Sequence, residues 1–117
     1  YVQDTVDAYI KSINNKKIIG NVINIGSGYE LSVAELIKKI AKIINVTYST
    51  KLDKRRVRPK KSEVNRLLAS NKKAREILKW EPNYSGKKYI DSSLKKTIEW
   101  FSDSKNLKMY KTDLYNL

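Results

Sequence analysis

Two segments of this sequence carry side chains whose types and spacing could do chemistry. The first is Asn24-Ile25-Gly26-Ser27-Gly28. An amide at the end of an apolar run, beside two glycines and ahead of a helix, can hydrogen-bond a phosphate or sugar oxygen. The same residues more commonly make a tight turn, in which an Asn fixes the bend and the glycines supply positive φ. A dinucleotide fingerprint asks for a third glycine, and Leu31 stands in its place, so the spacing gives no nicotinamide site. The second segment is Arg58-Pro59 followed by Ser62-Glu63-Val64. A guanidinium fork grips a diphosphate at two points, Pro59 stiffens the loop that presents it, and the Glu63 carboxylate can accept both hydroxyls of a ribose. A surface ion pair between Arg58 and Glu63 is the competing reading, and spacing does not separate the two. Lys88 also follows Tyr84 by four residues, as in a Tyr-Lys proton-transfer pair. Pro82 and Gly86 break the helix that such a pair needs, so this is a chance match.

The elements that must position these groups read as follows. Asp4 or Thr5 caps a first helix with apolar positions Val6, Tyr9, Ile10 and Ile13, ending near Asn14-Asn15 in a left-handed residue. Residues 21–25 read as a short strand broken by Gly26-Ser27-Gly28. Ser32-Val33-Ala34-Glu35 is a capping box opening a helix on Val33, Leu36, Ile37, Ile40, Ala41 and Ile44, with Asn45 as a left-handed stop. Residues 46–50 alternate as a second strand, and the run after them is a loop. Ser70 or Asn71 starts a third helix burying Ala74, Ile77 and Leu78, and a last helix runs from about 87 to 102. Residues 103–117 lack a period and read as a peripheral tail. The expected fold class is α/β: a small mixed lobe of about four helices and two or more short strands.

Composition removes much of enzymology. The 117 residues contain no Cys and no His, which excludes thiolate and imidazole metal sites, a Cys nucleophile, disulfides and a His general base. No apolar run approaches the roughly 20 residues of a membrane span, and no signal-peptide pattern opens the chain. The zero Cys count is compatible with a reducing cytoplasm, the expected location. There is no initiator Met, and the chain reads as a piece of a longer protein. The net charge is +13, from 25 Lys+Arg against 12 Asp+Glu, with 20 of the cations Lys spread over most helices. That spread reads as a solvated surface, and aromatics are not interleaved with it as nucleic-acid stacking platforms would be. Residues 51–61 differ: seven cations against Asp53 alone read as an anion site. A basic nucleic-acid-binding domain or a non-enzymatic anion-binding module is the alternative reading.

Read in order, these pieces resemble one family. They are Tyr1-Val2-x-Asp4-Thr5-Val6-x-Ala8, Asn24-Ile25-Gly26-Ser27-Gly28, Ser32-Val33-x-Glu35-Leu36, Arg58-Pro59-x-x-Ser62-Glu63-Val64, Lys73-Ala74, Leu78-x-Trp80-x-Pro82 and Thr97-Ile98-Glu99-Trp100. The order and spacing over residues 1–102 resemble the C-terminal part of the extended short-chain dehydrogenase/reductases, the NAD-dependent nucleotide-sugar epimerases and 4,6-dehydratases, dehydratase-like members most of all. The resemblance implies a substrate-binding lobe for a nucleoside-diphosphate sugar. NAD and the catalytic Thr/Ser, Tyr and Lys belong to an N-terminal Rossmann domain that this chain lacks. It therefore implies no catalytic residue and no cofactor in this chain, and no turnover by it alone. Carried over by position, Asn24 lies near the substrate diphosphate, Arg58 grips it, and Glu63 contacts the ribose. With the Rossmann half absent, an uncovered apolar face and homo-oligomerisation are expected; neither a membrane nor nucleic acid is an expected partner. Three departures from the family pattern are the longer spacing from Arg58-Pro59 to Glu63, where GDP-mannose 4,6-dehydratases place Thr-Glu directly after Arg-Pro, Ser70, where Asp is usual, and Lys79, where Gly precedes the Trp.

Overall fold

A computed structural model describes residues 1–53, 57, 64 and 66–110. Helix α1 spans Val2–Ser12. It starts earlier than expected, with Tyr1 at the N-cap, so Asp4 and Thr5 sit inside the first turn and do not cap it. Asp4 is instead 5% exposed, and its carboxylate reaches across the molecule. Oδ1 accepts from the Asn83 amide at 2.8 Å and Oδ2 from the Tyr84 amide at 3.1 Å. The Asp4 carbonyl accepts from Trp80 Nε1 at 3.1 Å, and Trp80 is completely buried. The inward face of α1 is therefore Asp4 and Ala8. Its apolar stripe, Val2, Val6, Tyr9, Ile10 and Ile13, points outward and is 41–74% exposed. That inverts the usual arrangement of a surface helix.

The left-handed end expected at Asn14-Asn15 is absent. Ile13 stays right-handed, and Asn15, at φ −101°, caps a 3₁₀ turn, Lys16–Ile18, by accepting from the Lys17 amide. Its Nδ2 donates to the Ile77 carbonyl at 2.8 Å, a long-range bond that competes with the local turn. Helix α2, Val33–Ile44, is the element expected. Ser32 Oγ accepts from the Glu35 amide at 3.2 Å, Glu35 Oε2 accepts from the Ser32 amide at 3.0 Å, and Asn45 closes the helix at φ 54°. The third helical segment widens into a π turn, Ala74–Leu78, and stops at Lys79. Lys79 adopts φ 53°, the conformation that favours glycine, and the Trp80 amide donates back to the Ala74 carbonyl at 3.2 Å. Helix α3, Gly86–Ser102, is joined to α2 by a Lys39–Asp91 bridge at 2.6 Å. One further turn, α4, Ser104–Leu107, forms where the sequence shows no period.

The expected sheet does not form, and the fold class is corrected from α/β to helical. No β-strand occurs among the described residues. Residues 21–25 and 46–50, read as strands, join no ladder, and a strand forms only where a neighbour completes the hydrogen-bond ladder. Ile23 and Ile25 instead pack against a core of Ala8, Ala74, Leu78 and Trp80. That core is small. The radius of gyration is 17.4 Å, where a compact chain of this length has about 13 Å, so much apolar surface remains open. Among the described residues no helix is long and apolar enough to cross a membrane.

Three consequences can be measured. Asp4→Ala leaves two amides without their acceptor and is expected to cost about 2 kcal/mol in urea denaturation. Lys79→Gly relieves the left-handed strain and should stabilise by up to about 1 kcal/mol. Glu35 is held below the ordinary glutamate value by the Ser32 hydroxyl and amide, and Glu30 by its bond to Arg66. A carboxylate lowered on folding stabilises above its unfolded pKa, and that contribution is lost as pH falls through the lowered value. Glu35→Gln should therefore flatten the acid limb of the stability profile followed by circular dichroism.

Candidate substrate-binding site

Asn24 sits between two anchors. Ile23 and Ile25 are half-buried against the core, and the residue between them is exposed. It faces an open groove of about 470 Å³ whose other walls come from α1, through Thr5 and Tyr9, and from Asn21. The side-chain amide of Asn24 makes no hydrogen bond among the described residues. It offers two donors and one acceptor to whatever enters.

The turn that follows is engaged internally. Gly26 donates its amide to Asn71 Oδ1 at 3.0 Å and accepts from Asn71 Nδ2 at 2.7 Å, so one buried side chain imitates a paired peptide. A Cβ at Gly26 would lie 2.7 Å from the Ala69 Cβ, which is why glycine is required there. Ser85 Oγ donates to the Ser27 carbonyl at 2.5 Å, Ser27 Oγ bonds both the amide and carbonyl of Tyr29, and Gly28 is at φ +65°. The tight-turn reading holds for Gly28, which supplies the positive φ, while Gly26 is needed for its close approach to Ala69; Asn71 and not Asn24 ties the segment down. Asn71 and Ser85 escaped the sequence reading because each looks like a local cap, and no spacing relates position 71 to position 26.

The same geometry tests a dinucleotide site. The Gly26 amide is taken by Asn71, and α2 begins only at Val33 with its first turn closed by its own Ser32–Glu35 box. Gly26 and Tyr29 therefore offer no free amide to a pyrophosphate, and the residues present do not make the amide cradle of a dinucleotide fingerprint.

Arg58 and Glu63 lie outside the described residues. Beyond them, Arg66 grips Glu30 with Nε donating at 3.1 Å and Nη2 donating to the other oxygen. With Ala69 and Asn71 beside Gly26, residues 66–71 run back along 26–30, so the chain leaving the basic run returns to the Asn24 turn. The Tyr84-to-Lys88 spacing leads to no pair: Lys96 donates to the Tyr84 hydroxyl, and Lys88 lies over the Tyr89 ring.

Gly26→Ala is expected to destabilise by about 1–3 kcal/mol, the usual cost of overpacking, and Ala69→Gly in the same chain should recover most of the loss. Thermal melts of the two single variants and the double variant read the coupling.

The profile of the GDP-mannose 4,6 dehydratase family matches residues 1–93. The chain is 30% identical over 86 residues to UDP-glucose 4-epimerase of Rhizobium meliloti (strain 1021), covering 72% of this chain and 25% of that protein. It is 31% identical over 114 residues to UDP-N-acetyl-alpha-D-glucosaminuronate decarboxylase of Bacillus cytotoxicus, covering 91% of this chain and 32% of that one. UDP-glucose 4-epimerase of Lacticaseibacillus casei is 30% identical over 105 residues, which are 86% of this chain and 29% of that protein. The chain thus spans about a quarter to a third of the length of these relatives. No solved structure matches it. The ordered motifs from Tyr1 to Trp100 and the family match over residues 1–93 lead to one conclusion: this chain belongs to the GDP-mannose 4,6-dehydratase family, among the NAD-dependent nucleotide-sugar enzymes of the extended short-chain dehydrogenase/reductases.

Proposed function

We propose that this chain is the substrate-binding lobe of a cytoplasmic nucleotide-sugar 4,6-dehydratase or epimerase, and that it holds a nucleoside-diphosphate sugar without turning it over. The carrying observation is Asn24: an unengaged amide on an anchored segment, facing a groove large enough for part of such a ligand. In this reading its amide donates to a diphosphate oxygen, Arg58 grips the same diphosphate, and Glu63 accepts the ribose hydroxyls. The basic run from 51 to 61 raises the local concentration of the dianion. NAD and the hydride and proton transfers belong to a Rossmann half outside this chain. Support for that division comes from the engaged Gly26–Gly28 turn and from the short span relative to the relatives.

The outward stripe of α1 is the face that the Rossmann half covers in this reading. Left open, it draws two copies of the chain together. Static light scattering should show association at high concentration, weakened by Tyr9→Glu. A monodisperse monomer counts against this part of the reading.

Calorimetric titration with UDP-, GDP-, CDP- and dTDP-sugars tests the site. One nucleotide sugar should bind best, and Asn24→Ala and Arg58→Ala should each weaken it about tenfold or more, as lost charge-assisted bonds do. Lys42→Ala should not. Binding of an unrelated oligonucleotide with a steep salt slope, and no sugar preference, would favour a polyanion surface instead.

A further inference from the structure

A second cluster, apart from the residues of the Asn24 groove, gathers five of the chain's eleven aromatic residues. On α3, Lys96 and Trp100 are one turn apart, as are Thr97 and Phe101. Asn106 of α4 donates to the Trp100 carbonyl at 2.9 Å, and this fold-back brings Tyr110 to 5.8 Å from the Trp100 ring and 5.1 Å from the Phe101 ring. Tyr1 lies 4.8 Å from Tyr84, centroid to centroid. Between Tyr1, Trp100, Phe101 and Tyr110 opens a cleft of about 590 Å³. All four of these rings are 38–52% exposed, although they are the residues that a helical core would normally hide.

The cleft carries one charge. Lys96 lines it, with its ammonium 4.7 Å from the Tyr84 ring and 5.9 Å from the Tyr1 ring, and it donates one proton to the Tyr84 hydroxyl. That bond moves the Lys96 ammonium upward from the ordinary lysine value, and like any exposed lysine it is cationic at neutral pH. Two of its three protons remain free for an acceptor. Ring walls favour a flat partner offset-stacked or edge-on, and a fixed cation beside them favours one that carries a negative group.

We propose that this cleft is a binding site for a planar aromatic anion, its ring against Trp100 and Tyr110 and its anionic group on Lys96. None of its lining residues lines the Asn24 groove, so binding here is tested separately from nucleotide-sugar binding; Val2 is the one lining residue it shares with the outward stripe of α1.

Phenyl phosphate is the probe and benzyl alcohol its neutral counterpart. Trp100 reports on the cleft, while Trp80 is completely buried and reports on the fold. Phenyl phosphate should change tryptophan fluorescence saturably, with the same affinity by calorimetry, and benzyl alcohol should bind at least about tenfold more weakly. Lys96→Met should weaken phenyl phosphate about tenfold, with Lys95→Met as the same-helix control that leaves it unchanged. Tyr110→Ser removes a wall and keeps the charge, so it should weaken both probes. An unchanged circular dichroism spectrum and buried Trp80 emission certify that each variant is folded. Equal loss in Lys96→Met and Lys95→Met would reduce the effect to general attraction by a +13 protein and overturn the proposal. Equal binding of the two probes, or no saturable response to phenyl phosphate, would also overturn it.

Discussion

The fold hangs on the junction between Asp4 and the Trp80–Tyr84 segment. A carboxylate accepting two backbone amides and a carbonyl accepting an indole N–H fasten the first helix to the only large side chain that is completely buried among the described residues. The core around Trp80 has few other residues, so these polar bonds do work that a larger protein would leave to apolar burial. The choice has a geometric result. With Asp4 and Ala8 turned inward, the apolar stripe of α1 must face out. The strangest feature of the surface and the best-satisfied polar group inside are two sides of one helix.

Local chemistry was legible in the sequence wherever the residues that decide a conformation are neighbours. The Ser32–Glu35 box, the Asn45 stop, the start of α3 and the left-handed Lys79 all follow from contacts within a few positions. What was not legible depends on residues far apart. Asp4 has the type of a helix cap, and what it caps is a loop about 80 positions away. Residues 21–25 read as a short strand, but no neighbouring strand completes a ladder with them among the described residues, and the side-chain amide of Asn71 engages only Gly26 beyond their end. The period of a segment states which faces it has and leaves open what meets them.

The site divides along the same line. Asn24 stood out because an amide in an apolar run is conspicuous, and it does sit exposed beside a groove between two anchored isoleucines. The glycines beside it attract a phosphate reading by type alone. Their geometry shows them serving the turn, with Asn71 occupying the Gly26 amide that a phosphate would need and Ser85 tying down the Ser27 carbonyl. Rigidity there is useful in its own right, because an amide that recognises a ligand is more selective when its backbone cannot follow the ligand about.

The bond from Trp80 to Asp4 closes 76 residues of chain, and it governs when this protein can begin to fold. Loop-closure entropy must be met before that contact returns anything, so local helices such as α2 can flicker early while the core waits. During synthesis the first helix emerges with its apolar stripe already exposed and its Asp4 partner some 80 residues behind. At typical elongation rates of about 5–20 residues per second, that interval is several seconds. Until Trp80 and Tyr84 leave the ribosome, Asp4 has no partner and Ala8 no core to join, while the apolar stripe of α1 faces outward before and after that moment.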